Sequence, residues 1–158
     1  MLVMRIVDNF LNREYFNKIQ DYILHDIPWY KSKGISEEGS EGFYFTHTFY
    51  QNYAPCSDHI GILSDFINLI GPKAIIRLRA ALYPRTQSLE WHGMHKDCPF
   101  EHNGCILYLN SCNGYTGFTG TCVESIENRA LFFNPNEDHC STSCTDQDLR
   151  AIIIMNYF

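Results

Sequence analysis

This sequence of 158 residues has no CxxC pair, no long apolar run, no internal repeat and no low-complexity tract, and it has no excess of basic residues. Each absence removes a class of protein. No run approaches the roughly 20 apolar residues that a bilayer demands, so no membrane span is expected. Lys and Arg number 12 against 18 Asp and Glu, a formal net charge of −6, which argues against a general nucleic-acid binder. The opening MLVMRIVDNFLNREYF has no basic n-region, apolar h-region or small-residue cleavage site, so the expectation is a cytoplasmic protein. Seven cysteines, at 56, 98, 105, 112, 122, 140 and 144, are odd in number and irregularly spaced. They read as reduced, mostly buried thiols rather than a disulfide framework.

Aromatic residues are abundant. Ten Tyr and eleven Phe, in a 15% aromatic composition, favour a strand-rich fold, and the length suits one domain with a substantial core. IVDNF (6–10) reads as a short strand leading into a helix, on which Leu11, Tyr15, Ile19 and Ile23 recur every four residues. Asp8 or Asn12 would cap that helix, which should end before Pro28. Residues 31–42, KSKGISEEGSEG, read as an exposed loop, and FYFTHTFYQNY (43–53) as a strand. A second helix is predicted from Ser57, with Ile60, Leu63, Ile67 and Ile70 on one side and Gly71-Pro72 as its stop.

After Gly71 the texture changes. AIIRLRAALYP (74–84), GCILYLN (104–110), TGTCVES (119–125), RALFF (129–133) and LRAIIIMNYF (149–158) read as strands, separated by the turn signals CNGYTG, IEN, NPNED and CTDQD. A helical part of about 1–72 and a β core of about 74–158 then form one domain. The expected architecture is a sandwich, jelly roll or barrel with helices packed outside. The last strand is nearly all apolar after Arg150 and should be central. A guanidinium entering such a strand needs an anionic partner; Asp146 or Asp148 at a strand edge is one alternative.

EWHGMHKDCPFEHNG (90–104) holds three histidines and Asp97. In an extended segment His95 and Asp97, at i and i+2, project to one side. His139, after NPNED, is the candidate third ligand. Two histidines and one carboxylate on one face of a metal leave open positions, which suits a non-haem Fe(II) that activates oxygen. A rival set is zinc on His92, His95 and His139 with Cys98 and Cys140, which needs neither Asp97 nor Arg150. His25, His47 and His59 read as surface or structural residues, and His102 as a loop residue rather than a ligand. Arg77 and Arg79 share one strand face and either line a groove or meet water. Trp91 either packs on substrate or roofs the core.

The order HKD … H … R, together with LYP (82–84), ILYLN (106–110), NRALFFNPNEDH (128–139) and LRAIIIMNYF (149–158), resembles the Fe(II)- and 2-oxoglutarate-dependent dioxygenases, in their prolyl 4-hydroxylase-like branch. The NGYT turn is similar to that of small phage and marine-microbe members, and IVDNFLNREYFNKI to the family's entry strand and helix. The resemblance implies a mainly β (α+β) double-stranded β-helix, a cupin-like jelly roll, with metal near its open mouth. It implies His95, Asp97 and His139 as ligands of Fe(II) and Arg150 as partner of the distal carboxylate of 2-oxoglutarate. Tyr108 would place its hydroxyl on that carboxylate, and Tyr83 would lie against the cosubstrate. The implied cofactors are Fe(II), 2-oxoglutarate and O2, with ascorbate as accessory reductant. The implied reaction is hydroxylation of a C–H bond of a peptide, protein or small-molecule substrate, such as peptidyl proline, with release of succinate and CO2. The loop 31–42 would cover the substrate, and a phage-encoded enzyme in a bacterial host would fit. The family's Gly-Gly pair is only partly matched, in GYTGFTGT. The alternative is a non-catalytic cupin-like module that binds zinc or iron.

Overall fold

The computed structural model describes residues 4–32, 34, 35 and 42–158; most of the loop expected at 31–42 lies outside them. In chain order come β1 (Arg5–Val7), α1 (Arg13–His25), β2 (Tyr30–Lys31), β3 (Phe45–Gln51) and β4 (Ala54–Pro55). A 3-10 helix (Asp58–Leu63) and α2 (Ser64–Ile70) follow, then β5 (Ile75–Pro84) and β6 (Asn103–Tyr108). The chain closes with β7 (Tyr115–Phe118), β8 (Thr121–Glu124), β9 (Ala130–Phe133), β10 (His139–Ser141) and β11 (Leu149–Tyr157). One large sheet runs β1-β9-β6-β11-β5-β3-β2, with β4 paired to β3, and a second sheet runs β10-β7-β8. All pairings are antiparallel. The expected mainly β jelly roll is the fold observed, and the N-terminal part adds β1 to β4 to its large sheet.

β11 sits between β5 and β6, the central position its apolar run implies. Its side chains sort by parity. Ala151, Ile153 and Met155 face the helical side, with Leu78, Leu107 and Phe132 and the buried helix residues Phe16, Ile19, Ile23 and Phe66. Ile152 and Ile154 face the second sheet, with Ala81, Ile106, Leu131 and Phe133. A strand buried on both faces has no place for alternating polar residues. The same parity carries Arg150 and Asn156 to the inner face. Register sets Arg150 against Tyr83, Ile154 against Arg79 and Asn156 against Arg77, and opposed residues of an antiparallel pair project to the same side. Two polar ends and an apolar middle therefore face the second sheet.

α1 begins at the Asn12 cap, whose Oδ1 accepts from the Tyr15 N–H at 2.9 Å; Asp8 instead pairs with Arg129 at 2.6 Å. The second helix departs from expectation. Ser57 caps it, accepting from the His59 N–H, but its first part winds as a 3-10 helix. Three residues per turn move the buried face off the four-residue spacing, so Leu63 and Phe66 are buried while Ile60, Ile67 and Ile70 are only partly covered. Gly71, at φ 65°, ends it in the left-handed region. Four strands were not visible in the sequence: the two-residue β2 and β4, and β7 and β10. β7 lies partly within the apparent CNGYTG turn, and β10 is three residues long, held by pairing such as Cys140 with Gly117. The thiols are free, but three of the seven are buried, fewer than expected. No helix among the described residues is long and apolar enough to cross a membrane.

Asn128 fastens the chain's start to the sheet. It is buried at φ 58°. Its Oδ1 accepts from the Leu11 N–H at 2.9 Å and its Nδ2 donates to the Leu11 carbonyl at 2.8 Å. Asn128→Ala leaves both groups of Leu11 without a partner and puts in the left-handed region a residue that tolerates it less well than Asn. Loss of about 2–4 kcal/mol of unfolding free energy is expected from urea denaturation, and Asn128→Gly, which loses the same hydrogen bonds but adopts the left-handed region without steric cost, should lose less.

Candidate active site

A cavity of about 440 Å³ lies at the inner face of the large sheet, with His95, Asp97 and His139 on its wall. The segment 91–97 is an extended strap rather than a strand of either sheet. It is bridged to the β10 region at Trp91–Thr142 and His95–His139, the latter through His95 N–H to His139 carbonyl at 2.9 Å and the reverse bond at 3.0 Å. The Asp97 N–H donates to the Pro135 carbonyl at 3.0 Å. Extended backbone thus sends His95 and Asp97 to one side, toward His139.

The three side chains converge. Asp97 Oδ1 lies 3.7 Å from His95 Nε2 and Oδ2 lies 3.9 Å from His139 Nε2. These separations are too long for hydrogen bonds. Each histidine has its Nδ1 on a backbone carbonyl, His95 on Gly93 at 3.2 Å and His139 on Glu137 at 2.9 Å. A carbonyl only accepts, so Nδ1 carries the proton and the Nε2 lone pair faces the carboxylate. One ligand atom from each residue lies within 4.8 Å of the others. Three lone-pair donors with no proton between them fit one shared cation. Burial pulls the His139 pKa below the ordinary imidazole value despite the opposing pull of Asp97. Burial works against the Asp97 carboxylate, but Arg77, His139, the Asn156 amide and Arg79 outweigh it, and its pKa is lowered. Around neutral pH one is a free base and the other an anion, the forms a metal takes.

Asp97 is held from behind by Arg77, which the sequence marked only as lining a groove or meeting water, and by Asn156, which it did not mark. Arg77 Nη2 lies 3.1 Å from its Oδ1, and Asn156 Nδ2 donates to its Oδ2 at 2.8 Å. Asn156 also donates to His102 Nε2 at 3.2 Å and accepts from Arg77 at 3.2 Å. His102 in turn donates from Nδ1 to the Phe100 carbonyl at 2.8 Å. His102, expected as a loop residue, is buried and lies one amide behind Asp97. The available signal was parity: Asn156 is six residues beyond Arg150, and Arg77 six before Tyr83, each in phase with the inner face.

Arg150 occupies the other end. It is fully buried, and its partners are hydroxyls: Nε donates to Ser125 Oγ at 2.6 Å, Nη1 to Ser141 Oγ at 2.6 Å and Nη2 to Thr116 Oγ1 at 3.1 Å. The edge alternative fails, since Asp146 accepts from the Asn113 N–H and Asp148 pairs with Arg85 at 3.6 Å. Among the described residues no carboxylate pairs with Arg150. Gly114 makes room for it, because a Cβ there would come within 2.6 Å of both Arg150 Cδ and the Ser143 carbonyl oxygen. Tyr108 donates its hydroxyl to Thr116 Oγ1 at 2.7 Å, one hydroxyl removed from Arg150. Tyr83 lines the cavity, stacked between Tyr44 at 5.1 Å and His92 at 5.2 Å. Burial raises the pKa of both tyrosines, so both stay protonated.

The rival zinc set is not assembled: His95, Asp97 and His139 are the one such group among the described residues. His92 stacks on Tyr83, and burial, with Arg150 and His95 nearby, pushes its pKa down to about 4. Arg77 and Arg79 line the cavity rather than face bulk water. Trp91 is exposed and stacks on Tyr115 at 6.0 Å. His25 and His59 bond to Asp21 and Tyr22, and His47 to the Pro28 carbonyl and Ser57.

No family model and no curated protein matches the chain. Its fold is that of the 2-oxoglutarate and Fe(II) oxygenases, as solved structures show. A Burkholderia pseudomallei oxidoreductase of the 2OG-Fe(II) oxygenase family aligns at TM-score 0.70 and 12% identity, over 98% of this chain and 84% of that one. The chain is similar in fold to prolyl hydroxylases as well. That of Trichoplax adhaerens, in complex with a hypoxia inducible factor peptide fragment, aligns at TM-score 0.68 and 16% identity, over 98% and 83%. The viral collagen prolyl hydroxylase of Paramecium Bursaria Chlorella virus-1, in its 2OG complex, aligns at 0.62 and 13%, over 97% and 93%.

In Asn156→Leu, Asp97 loses a donor and His102 its Nε2 partner. Mn(II) affinity, followed by electron paramagnetic resonance of the free ion, should fall about 10-fold, with far-UV circular dichroism unchanged.

Proposed function

We propose that this chain is an Fe(II)- and 2-oxoglutarate-dependent oxygenase that hydroxylates a C–H bond, on a peptidyl residue such as proline. The observation that carries this is the Arg150 guanidinium, buried with no carboxylate partner among the described residues, on the inner face that also bears Asn156 and Arg77 beside His95, Asp97 and His139. One end of the site offers a fork for a carboxylate and the other three donors for a cation, and the cavity that holds the donors is also lined by Thr116 and Ser141, the hydroxyl partners of Arg150.

His95, Asp97 and His139 would hold Fe(II), with the Nδ1 protons of both histidines kept on backbone carbonyls. Arg150 would receive the distal carboxylate of 2-oxoglutarate as a bidentate partner. Thr116, Ser125 and Ser141 fix the plane of the guanidinium, and Tyr108 orients the Thr116 hydroxyl. Tyr83 would lie along the cosubstrate. When bound, iron and 2-oxoglutarate supply the oxidative chemistry, in which O2 gives succinate, CO2 and a hydroxylated substrate carbon. Ile106, Phe133, Ile152 and Ile154 line the reacting region with apolar surface and limit its water. Ascorbate enters as an accessory reductant on the resemblance, and residues 1–158 act as one domain. Peptidyl proline is supported by the likeness to prolyl hydroxylases, one of them solved with a peptide.

Calorimetric titration of 2-oxoglutarate into Mn(II)-loaded protein tests the fork. Arg150→Ala should weaken binding at least 100-fold and Arg150→Lys about 10-fold, because a single ammonium replaces only part of a bidentate contact. Wild type with Fe(II) in air should form succinate. A dissociation constant unchanged within twofold in Arg150→Ala, in protein of normal circular dichroism, removes Arg150 from the site.

A further inference from the structure

The cavity mouth is cationic in an acidic chain. Arg77, Arg79 and Lys96 line it, and Asp97 is the single acidic residue among its lining residues, against a net charge of −6 for the sequence. Asp97 is already engaged by Arg77 and Asn156. Arg79 is not engaged in that way. Register puts it on the inner face opposite Ile154, about 7 Å along β5 from Arg77 and about 14 Å from Tyr83. Its one hydrogen-bond partner among the described residues is the Tyr44 hydroxyl, at 3.3 Å. Its Nε is buried with no partner, as is that of Arg77. Among the described residues no carboxylate pairs with Arg79. Arg77 and Arg79 are both half-buried and line the same cavity one two-residue step apart on β5, so two guanidiniums of like charge share one face. Holding them there is unfavourable unless an anion joins them. In the oxygenase reading, on which this inference rests, that anion is not 2-oxoglutarate, since Arg150 and the metal group take its two ends.

We propose that Arg79, with Lys96, binds a carboxylate of the substrate, so that the site selects an acidic one. The carboxylate comes either from Asp or Glu beside the oxidised residue of a peptide or from the α-carboxylate of a free amino acid. Arg79 is then a specificity-determining residue, roughly two residues' length from the Asp97 end of the site. Tyr44, stacked on Tyr83, steadies the guanidinium from the far side.

The test is calorimetry on protein loaded with Mn(II) and 2-oxoglutarate. The probes are three capped peptides with a central proline flanked by Glu, Gln or Lys, and free L-proline. The Glu peptide should bind at least 10-fold more tightly than the Gln peptide, and the Lys peptide more weakly still. Arg79→Gln should reduce that preference below twofold, Arg79→Lys should keep most of it, and 2-oxoglutarate affinity should stay within twofold in both. Binding of L-proline in place of the peptides, lost in Arg79→Gln, assigns the carboxylate to a free amino acid. Equal affinity for all three peptides with no L-proline binding overturns the proposal, as does a preference that survives Arg79→Gln. So does Arg79→Gln weakening 2-oxoglutarate 10-fold. If wild type binds no 2-oxoglutarate, the oxygenase reading fails separately. The peptides and L-proline are then titrated without cosubstrate, where a Glu-over-Lys preference or L-proline binding that depends on Arg79 sustains the carboxylate site and neither overturns it.

Discussion

Arg150 carries its charge inside the protein on three hydroxyls. Hydroxyls satisfy the N–H donors of a guanidinium but do not neutralise it. Much of the inner half of the molecule is shaped around that one side chain. Gly114 stays bare because a Cβ would meet the Arg150 stem. Thr116 comes from β7, Ser141 from β10 and Ser125 from just past β8, so two strands of the small sheet and the turn after the third contribute. A buried cation arranged in this way is unfavourable for an empty protein and well suited to one that takes a carboxylate.

The second constraint is parity on β11 and β5. Two-residue periodicity puts Ile153 and Met155 under the helices and gives the opposite face Arg150, Ile152, Ile154 and Asn156. The polar residues of that face stand at its ends and serve different purposes. In the proposed function Arg150 receives an anion, while Asn156 orients one, the Asp97 carboxylate. A shift of one residue in the pairing of β11 would exchange the core for the site, so fold stability and site geometry rest on the same register.

Much of this was legible in the sequence because it depends on pattern. The run AIIIM marked a central strand, HKD spaced two ligands for one side, and an arginine beside an apolar strand stood out as needing a partner. β7 and β10 were hidden because Gly, Asn and Thr read as turn formers, and because three residues gain strand geometry only from their neighbours. The hydroxyls around Arg150 were hidden for a similar reason. Ser and Thr are common, and nothing local distinguishes Ser125 from any other serine; strand pairing brings it to Arg150 across 25 residues of chain. His102 looked like a loop histidine, and its contact with Asn156 spans 54 residues.

The most direct measurement is an anaerobic titration of metal-free protein with Fe(II) and then 2-oxoglutarate, followed by visible absorption. A metal-to-ligand charge-transfer band that needs both additions, vanishes in His95→Ala and weakens in Arg150→Ala is the expected result. It would tie the metal group and the buried guanidinium to one bound molecule. No band, with Zn(II) held tightly by the same protein, would contradict the oxygenase and leave a closed metal site in a jelly roll.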